Sequence, residues 1–361
     1  MRILVVTSAS GGHIFPALSF IEALKKRQPA AQVQLVLPQR SQKLGICFPQ
    51  VNVKYIAISA LRFKPDYQGI LAIGRFLKGT AQSVFVLTEY HPDVVIGFGG
   101  IESVPMMLFA WFFRVKTFIH EQNVLPGKAN KLLSKFVDKV AVSFKETKDA
   151  LRIAGESIVV TGNPMRMDLG RIEKAKAQEY FGFDKNKITI LVMGGSQGSH
   201  SLNSAFMNML RLSRERGRLQ IIHLAGAKDL VLIESGYREL GVQAKVFAFL
   251  KEMHYAYSAS DIVVSRAGAT SITEILFFKI PAILIPYPFA KQHQAANAGV
   301  LEIKGCAVVV QDQELEIGGL QKAIEWLLRD ATKMALMRNS FPESPADSAD
   351  ILAQEVLKGS I

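Results

Sequence analysis

Near the start of the chain, a histidine and two adjacent glycines are the first residues whose types and spacing suit a chemical role. The segment TSASGGHIFPAL (residues 7–18) follows the apolar run Ile3–Val6 and leads into a helical pattern. Glycine lets backbone N–H groups approach an oxyanion, and the start of the next helix adds about half a positive charge. Histidine can take a proton from a hydroxyl group near neutral pH. The segment therefore predicts either a tight structural turn or an anion-binding loop with a base beside it.

Two more glycine-rich turns follow strand-like runs further along the chain. They are GFGG (residues 97–100) and GGSQGSHSLN (residues 194–203), and the second adds the polar side chains of Ser196, Gln197 and Ser199. Ligands of open parallel sheets bind beyond the carboxyl ends of the strands. Neither GGSQGS nor the first turn has the spacing of a dinucleotide or P-loop motif, which argues against NAD and ATP chemistry. Three such turns predict a ligand cleft lined by backbone amides.

A polar cluster, HEQN (residues 120–123), comes directly after the apolar run at 115–119, which we predict to be a strand. Its side chains either point into one crevice at the strand end or bond locally and cap the next helix. His120 and Glu121 cannot share one face of a strand, and no second histidine follows at metal-ligand spacing. We therefore expect no metal site and no cofactor.

The most specific stretch is SRAGATSITEI (residues 265–275). Gly268 belongs to a tight turn, and Thr270 and Ser271 can cap a helix. Glu274 stands three residues after Ser271, which is the spacing of a capping box. In the alternative interpretation, the start of this helix faces a diphosphate and Glu274 accepts hydrogen bonds from ribose hydroxyl groups.

The elements that position these motifs are strands alternating with helical patterns, which is typical of a parallel sheet with helices on both faces. The pattern restarts at residue 188, so we predict an α/β fold with two Rossmann-like units. Their boundary is expected near VVTGNPMRMD (residues 159–168), where glycine and proline interrupt the periodicity. The predicted strands lie at 2–7, 33–37, 53–58, 93–97, 115–119 and 138–142, and then from 188 and at 219–224, 244–247, 261–264, 282–285 and 307–310.

Length and charge agree with two domains of unequal character. A chain of 361 residues exceeds one ordinary core. Residues 1–160 hold 20 Lys and Arg against 10 Asp and Glu, out of a net charge of +12 for the whole chain. Such a basic half suits nucleic acid, an anionic membrane surface or a solvated face. Because the cations are dispersed and no nucleic-acid motif accompanies them, we predict no nucleic-acid partner.

A membrane surface fits the composition better. The segment LRFKPDYQGILAIGRFLKG (61–79) mixes cations with large apolar residues, although an amphipathic core helix has the same pattern. The apolar stretch 104–119 is interrupted by Arg114 and Lys116 and is too short to span a bilayer. The two cysteines indicate neither a disulfide framework nor a metal cage, and no signal peptide is visible. We expect a cytoplasmic protein that lies on the membrane.

Seven motifs together resemble the MurG family of peripheral membrane glycosyltransferases, which add N-acetylglucosamine from UDP-GlcNAc to lipid I and form lipid II for peptidoglycan. The resemblance implies the GT-B fold, with two Rossmann-like domains separated by a cleft. It implies an acceptor-binding and membrane-associating domain (1–162), a UDP-GlcNAc-binding domain (163–345) and a C-terminal helix (346–361) that crosses back. The motifs occur in the order SGGHIFPAL, GFGG, HEQN, GNPMR, GGSQGSHSLN, SRAGATSITEI and HQAANA.

The resemblance also implies site residues. His13 matches the histidine expected to act on the acceptor, with His120 and Glu121 as reserve candidates. The first loop departs from the family's G-G-T-G-G-H, because Ser8, Ala9 and Ser10 replace its first three residues. The implied substrate contacts are Ser10, Gly11, Gly12, Asn123, Arg166, Ser196, Leu250, Ala269, Thr270, Ser271, Ile272, Thr273, Glu274 and Gln294.

The expected activity is that of an inverting hexosyltransferase acting on the MurNAc 4-hydroxyl of lipid I, with helix N-termini and cations in place of a metal. The expected location is the cytoplasmic face of the plasma membrane, on an anionic lipid surface, with cell-wall and division machinery as protein partners. Three other functions remain open at this point. They are another UDP-sugar transferase such as a glycolipid synthase, a UDP-GlcNAc epimerase, and a non-catalytic scaffold.

Overall fold

A computed structural model describes residues 1–44, 51–58, 67–166, 168–195, 198–290, 292–343 and 347–359. The chain forms two compact units, one of Met1–Arg166 with Pro345–Ile361 and the other of Met167–Ser344. Each unit has its own parallel sheet and its own apolar core. This is the predicted α/β architecture with two Rossmann-like units, and the prediction is confirmed.

The first unit is built on seven described strands in the order β3-β2-β1-β4-β5-β6-β7, each parallel to its neighbours. Runs of Val, Ile and Leu form the central strands because helices cover both faces of the sheet. The strands are β1 (Arg2–Val6), β2 (Gln32–Pro38), β3 (Asn52–Ile56), β4 (Val94–Gly97), β5 (Lys116–Glu121), β6 (Lys139–Val142) and β7 (Ile158–Val160).

The helices of this unit bury one apolar face each against the sheet. Phe20 and Leu24 of the first helix are fully buried in a core that also contains Leu352 and Val356 of the last one. An ion pair between Arg27 and Asp350 links the same two helices. The helices are α1 (Gly11–Arg27), α2 (Tyr67–Tyr90), α3 (Val104–Phe112), α4 (Lys128–Leu133), α5 (Thr147–Leu151) and, from the C-terminal segment, α14 (Ser348–Lys358).

The second unit repeats this plan with six described strands in the order β10-β9-β8-β11-β12-β13, again all parallel. Its strands are β8 (Ile188–Met193), β9 (Leu219–Leu224), β10 (Gln243–Phe247), β11 (Ile262–Ser265), β12 (Ala282–Leu284) and β13 (Ala307–Val309). Its helices are α6 (Lys174–Phe181), α7 (His200–Leu212), α8 (Leu230–Leu240), α9 (Met253–Ala259), α10 (Ala269–Phe278), α11 (His293–Ile303), α12 (Gly319–Leu328) and α13 (Ala331–Asn339).

Each sheet has one point at which the strand order reverses. In the first unit it lies between β1 and β4, and in the second it lies between β8 and β11. At such a point the loops leave neighbouring strands in opposite directions and open a crevice, where ligands of doubly wound sheets bind. The glycine turns predicted from the sequence follow β1, β4 and β8, so they lie at these two switch points.

Most predicted strand boundaries differ from the observed ones by one or two residues, and three differences concern the motifs. Helix α1 already begins at Gly11, β5 continues to Glu121 instead of ending at 119, and the expected boundary region contains the strand β7. Strand β5 is longer because His120 and Glu121 continue its ladder beside Ala141 and Val142 of β6. Polar residues at a strand end had suggested a loop.

Among the described residues, α2 is long and apolar enough to cross a membrane by length and composition. Only 29% of its most apolar window is buried within the protein. Buried core helices pass the same test, so this finding alone does not assign a span. The cation-rich residues 61–66 that precede α2 lie outside the described part of the chain.

Candidate substrate sites at the strand switch points

Two glycines after β4 allow the two loops of the first switch point to touch. Gly99 and Gly100 have φ of +92° and +90°, which L-residues with a side chain rarely adopt. A Cβ on Gly100 would lie 2.3 Å from the Cβ of Ser8, and one on Gly99 would lie 3.2 Å from His13 Nε2. The GFGG turn is therefore required for the close approach of the histidine loop.

His13 lies in the first turn of α1 and is held by two serine hydroxyl groups. Its Nδ1 lies 2.6 Å from Ser8 Oγ and 2.7 Å from Ser10 Oγ. Its Nε2 has no hydrogen-bond partner among the described residues and faces Gly99. Burial lowers the pKa of His13 to about 4, so the ring is neutral at pH 7. A neutral imidazole with one unbonded nitrogen can accept a proton from a substrate.

Glu121, a reserve candidate for catalysis, is used to shape its own loop. The carboxylate is 1% exposed and accepts hydrogen bonds from the backbone N–H groups of Asn123 and Gly127, both at 2.9 Å. It also accepts from the side-chain amides of Asn123 at 3.1 Å and Asn130 at 2.8 Å. Of the two alternatives for the HEQN side chains, local bonding holds for Glu121, because four local donors satisfy its buried carboxylate.

His120, the other reserve candidate, is fully buried with both ring nitrogens bonded. Nε2 lies 3.0 Å from the carbonyl oxygen of Gly162, which only accepts, so Nε2 carries the proton. Nδ1 accepts a hydrogen bond from the Gln122 side-chain amide at 3.2 Å. Burial lowers the pKa of His120 to about 4. This histidine ties β5 to the end of β7 and is not available as a base.

The first switch point also contains a buried carboxylate, Glu102. It is 3% exposed and is paired with the guanidinium of Arg40. A Cβ on Gly100 would lie 3.0 Å from Glu102 Oε2, so the carboxylate lies beside the glycine turn. The ion pair accounts for the burial of this charge.

At the second switch point, glycines again fix the shape of the turn. A Cβ on Gly194 would lie 2.4 Å from the backbone nitrogen of Ser199. Gly195 and Gly198 have φ of +93° and +75°, and a Cβ on Gly198 would lie 2.3 Å from the carbonyl oxygen of Ala225. The predicted ligand Ser196, with Gln197, lies outside the described residues.

Helix α10 starts without a side-chain cap. Its N-cap is Gly268, and Thr270 and Ser271 lie in the first turn, so the prediction that they cap the helix is wrong. The Thr273 hydroxyl donates to the Ala269 carbonyl oxygen at 2.9 Å, and the Ile272 side chain is fully buried in the core. The first N–H groups of a helix have no partner within it, so this N-terminus suits an anion.

Glu274 does not close a capping box. Its Oε2 accepts a hydrogen bond from the Tyr257 hydroxyl of α9 at 2.6 Å, and the carboxylate is 9% exposed. Leu250, which follows β10 and precedes α9, is buried. The capping-box interpretation expected Glu274 to bond near the start of its own helix. In the structure its carboxylate instead bonds to Tyr257 of the neighbouring helix α9.

Gln294, at the start of α11, joins two loops of the second switch region. Its Oε1 accepts hydrogen bonds from the backbone N–H groups of Ala267 at 3.1 Å and Tyr287 at 2.9 Å. The carbonyl end of the side chain is thus engaged within the protein. A ligand at this position would meet the amide N–H groups of Gln294, which can only donate.

Sequence reasoning missed the residue that organises this switch point, Arg266. Its guanidinium is 5% exposed, pairs with Asp312 and donates to Ser199 Oγ at 2.9 Å and Ser201 Oγ at 2.8 Å. It also donates to the Ile285 carbonyl oxygen at 3.3 Å. One side chain therefore connects the segments after β8, β11, β12 and β13. Its position at the end of a predicted strand was the available signal.

The remaining predicted residues are partly buried or exposed. Gly12 is exposed, Gly11 is partly buried, and both belong to the first turn of α1. Asn123 is partly buried in the loop that Glu121 organises, and Arg166 is partly buried at the end of the first unit. A search of the described ranges finds no group of three or more His, Cys, Asp or Glu placed to hold a metal ion.

Comparisons with protein families match both units of the chain. The model described as the N-terminal domain of glycosyltransferase family 28 matches residues 3–142, and the model of that family's C-terminal domain matches residues 189–352. The chain is 36% identical over 353 residues to a UDP-N-acetylglucosamine--N-acetylmuramyl-(pentapeptide) pyrophosphoryl-undecaprenol N-acetylglucosamine transferase of Halothermothrix orenii, covering 94% of each protein. It is 33% identical to the enzyme of the same name from Bacillus pumilus, covering 99% of each.

Solved structures show the same fold. The crystal structure of MurG from Acinetobacter baumannii matches with a TM-score of 0.78 at 24% identity, covering 99% of each chain. A UDP-GlcNAc 2-epimerase from Neisseria meningitidis, bound to UDP-GlcNAc, matches with a TM-score of 0.68 at 15% identity, covering 99% of this chain and 100% of that one. At these identities, structural likeness shows the fold alone and does not separate transferase from epimerase.

Proposed function

The chain belongs to glycosyltransferase family 28, and from this premise we propose that it transfers N-acetylglucosamine from UDP-GlcNAc to the MurNAc 4-hydroxyl of lipid I. The product is lipid II, the building unit of peptidoglycan. The observation that carries the proposal is the similarity to relatives named for this transfer, which extends over 94–99% of the chain at 32–36% identity. A short shared motif would not support a substrate, but similarity over both units does.

The first unit supports the acceptor half of the reaction. The unbonded Nε2 of His13 takes the proton of the acceptor hydroxyl as its oxygen attacks the anomeric carbon of the donor. One bond forms between that oxygen and the anomeric carbon, and the bond from the carbon to the diphosphate oxygen breaks. The attack comes from the face opposite the leaving group, so the configuration inverts. In the proposal, Ser10, Gly11, Gly12 and Asn123 of this unit contact the donor sugar nucleotide.

The second unit supports the leaving group. Departure of UDP places negative charge on a diphosphate, and the uncapped N-terminus of α10 offers backbone N–H groups and the positive end of a helix dipole. In the proposal, Ser196 of this unit adds a hydroxyl group, and Arg166, the residue at which the first segment of the first unit ends, adds a cation. In this proposal the nucleoside is held by Glu274 on the ribose hydroxyls and by the backbone of Leu250 on the base, while Gln294 donates to the sugar.

The proposed transfer is tested with radiolabelled UDP-GlcNAc, a short-chain lipid I analogue and the full chain, with and without EDTA. We expect a labelled disaccharide-lipid product that depends on the acceptor and is unchanged by EDTA. Labelled N-acetylmannosamine formed without acceptor, either still attached to UDP or released by hydrolysis, would instead support an epimerase, which shares the fold. Absence of both products, together with no rise in Tm on adding UDP-GlcNAc, would support a non-catalytic scaffold.

A glycolipid synthase is separated from the proposed enzyme by its acceptor. The same donor is offered with lipid I analogue or with diacylglycerol, and the product is counted for each. We expect transfer to the lipid I analogue alone. Transfer to diacylglycerol alone would reassign the acceptor while leaving the family membership intact.

We also propose that the first unit binds an anionic membrane surface, where lipid I is embedded. Three aromatic side chains at the end of α3 are exposed: Trp111 by 45%, Phe112 by 69% and Phe113 by 41%. The ring of Trp111 packs against that of Phe136, with 5.2 Å between the ring centroids. The adjoining helix α4 exposes Leu132, Lys128 and Lys131, and Lys135, just after this helix, is also exposed. Within α3, the proposed membrane contact is limited to the C-terminal end, because Met106, Met107 and Ala110 are buried in the core.

The exposed cations of α2 give this membrane proposal a test. Replacing Arg75 and Lys78 by glutamate is expected to weaken binding to anionic vesicles about 30-fold, since each cation near such a surface contributes about 1 kcal/mol. Sedimentation with phosphatidylglycerol vesicles measures the effect. The control is Lys185→Glu with Lys245→Glu, which makes the same charge change at exposed positions of the second unit. Equal binding by all three proteins would remove α2 from the membrane surface.

We propose that the protein lies on the cytoplasmic face of the plasma membrane. We also propose that its protein partners are the cell-wall and division machinery. UDP-GlcNAc is a soluble donor and lipid I is an embedded acceptor, so a surface-bound enzyme can reach both. Co-purification of the chain with membranes washed at low salt, and its release at high salt, is the expected behaviour of an electrostatically bound protein.

A further inference from the structure

Ser8 is a buried serine whose hydroxyl lies against the proposed base. It is 4% exposed, and its Oγ is 2.6 Å from His13 Nδ1. Ser10 Oγ lies 2.7 Å from the same nitrogen, but Ser10 is exposed and can turn toward solvent or a substrate. Ser8 has no such freedom, because its Cβ is packed against the backbone of Gly100. The first loop thus has one fixed and one adjustable hydroxyl group at Nδ1.

The two ring nitrogens of His13 have different surroundings, and these surroundings bias the position of its proton. Two hydroxyl oxygens surround Nδ1, whereas Nε2 has no hydrogen-bond partner among the described residues. A proton on Nδ1 has two serine oxygens to accept it, whereas a proton on Nε2 would have no acceptor among the described residues. These surroundings favour the neutral tautomer that carries its proton on Nδ1, donates it to a serine oxygen and leaves a lone pair on Nε2.

We propose that Ser8 is a positioning residue that holds the His13 proton on Nδ1 and so presents Nε2 to the acceptor hydroxyl. This inference rests on the proposed function for its catalytic consequence. In chemical terms, Ser8 Oγ accepts the hydrogen bond from Nδ1–H, and its own O–H is directed toward Ser10 Oγ, 3.4 Å away. During transfer, the proton of the acceptor moves to Nε2, and the imidazolium that forms keeps its Nδ1–H bond to Ser8.

Because Ser8 is buried, its hydroxyl group is held beside His13, whereas the hydroxyl of the exposed Ser10 can turn away from the ring. Gly100 can accept this neighbour only because it lacks a Cβ and has a φ of +90°. The glycine turn after β4 therefore fixes Ser8, and Ser8 fixes the ring. The low pKa of His13, which burial brings to about 4, keeps the ring neutral, so the position of its single proton decides whether Nε2 is a donor or an acceptor.

A double-mutant cycle tests the coupling between Ser8 and His13. Ser8→Ala should lower kcat about tenfold, because it removes one hydrogen bond to a group used in the transition state. The KM for UDP-GlcNAc should not change. In a His13→Ala background, the same substitution should change the residual kcat less than twofold. A tenfold loss in both backgrounds would overturn the proposal, because Ser8 would then act through something other than the ring.

A matched control is available in the same loop cluster. Ser103 is fully buried and its Oγ donates to the Gly100 carbonyl oxygen at 2.8 Å, without a hydrogen bond to His13. Ser103→Ala should lower Tm without the His13-dependent loss of kcat. If Ser8→Ala fails to fold, Ser8→Gly is used in the same double-mutant cycle, because it also removes the hydroxyl group and adds no atom beside Gly100.

The position of the proton is read directly by NMR of the full chain with 15N-labelled histidine at pH 7. The signals of His13 are assigned by their absence in His13→Ala. We expect a protonated Nδ1 and an unprotonated Nε2 in the wild type, and a mixture of tautomers in Ser8→Ala. A wild-type ring protonated on Nε2 would overturn the inference even if transfer is observed. A wild type that transfers no sugar would defeat the proposed function, while the NMR result would still decide the tautomer.

Discussion

Replacing His13 by alanine is expected to lower kcat for GlcNAc transfer by about 10²–10⁴-fold, the usual contribution of a general base. Binding of UDP-GlcNAc should change little, because the proposed donor contacts lie mainly in the second unit. The expected result is therefore a loss in kcat with nearly unchanged donor affinity, which marks an interaction made in the transition state. Steady-state kinetics with the lipid I analogue, with donor binding measured by calorimetry, separates the two quantities.

The pH dependence gives this prediction a second readout. The pKa of His13 is lowered to about 4, so the ring stays unprotonated until the pH falls close to that value. As pH falls through about 4, protonation fills the Nε2 lone pair, and kcat/KM should decrease. We expect no decrease from His13 between pH 8 and pH 5. The His13→Ala protein should lack this acid limb in its residual activity, and circular dichroism at each pH checks that both proteins are folded.

The control for His13 is another histidine of the same unit. His91 is exposed and precedes β4, at the amino edge of the sheet and away from the switch point. His91 has a φ of +48°, which asparagine tolerates, so His91→Asn preserves the backbone. It should retain wild-type kcat. A His13→Ala enzyme with the same kcat and the same pH profile as His91→Asn would show that His13 is not the base.

Much of the fold could be predicted because local patterns and tertiary packing agree. Runs such as Ile3–Val6 and Ile188–Met193 are β-branched or apolar throughout, which is what a strand covered on both faces requires. The glycine turns were recognisable because they need backbone conformations that other residues avoid, as Gly99 and Gly195 show. Placement at the carboxyl ends of strands then followed from the parallel topology.

Side-chain roles within the candidate sites were less predictable, since their partners are distant in sequence. The spacing of Ser271 and Glu274 is that of a capping box, yet Glu274 bonds to Tyr257 of another helix. The polar residues His120 and Glu121 suggested a loop, although tertiary hydrogen bonds allow them to be buried within β5. The spacing of residues along the chain predicts hydrogen bonds within one element. In the buried interior, side chains from other elements come within hydrogen-bond distance and can replace those local partners.

Arg266 illustrates the same limitation most clearly. Its partners Ser199, Ile285 and Asp312 lie 19 to 67 residues away along the chain, and no periodic pattern connects them. They meet because β8, β11, β12 and β13 are neighbours in the order of the sheet or flank it. The arginine follows β11 at the switch point, so its guanidinium reaches the segments that leave three other strands.

This arrangement predicts a large loss of stability when Arg266 is replaced by methionine. Methionine has a similar length but cannot donate, so Asp312 loses its cation and Ser199, Ser201 and Ile285 lose a donor. Breaking a buried ion pair costs about 3–5 kcal/mol, and we expect about 3 kcal/mol here because the Asp312 side chain is 23% exposed. For a domain of this size, that corresponds to a decrease in Tm of about 6–12 °C, measured by calorimetry on the full chain.

Two companion variants separate charge from hydrogen-bond geometry. Arg266→Lys keeps the cation but cannot bond several segments at once, so it should recover only part of the lost stability. Adding Asp312→Asn to Arg266→Met removes the unpaired carboxylate and should restore stability relative to the single variant. If Arg266→Met alone leaves Tm unchanged, the four segments are held together by their backbone packing. If it lowers Tm and also weakens UDP binding, the guanidinium that stabilises the switch point also shapes the turn after β8. The stability of the second unit and the shape of its proposed donor site would then depend on the same side chain.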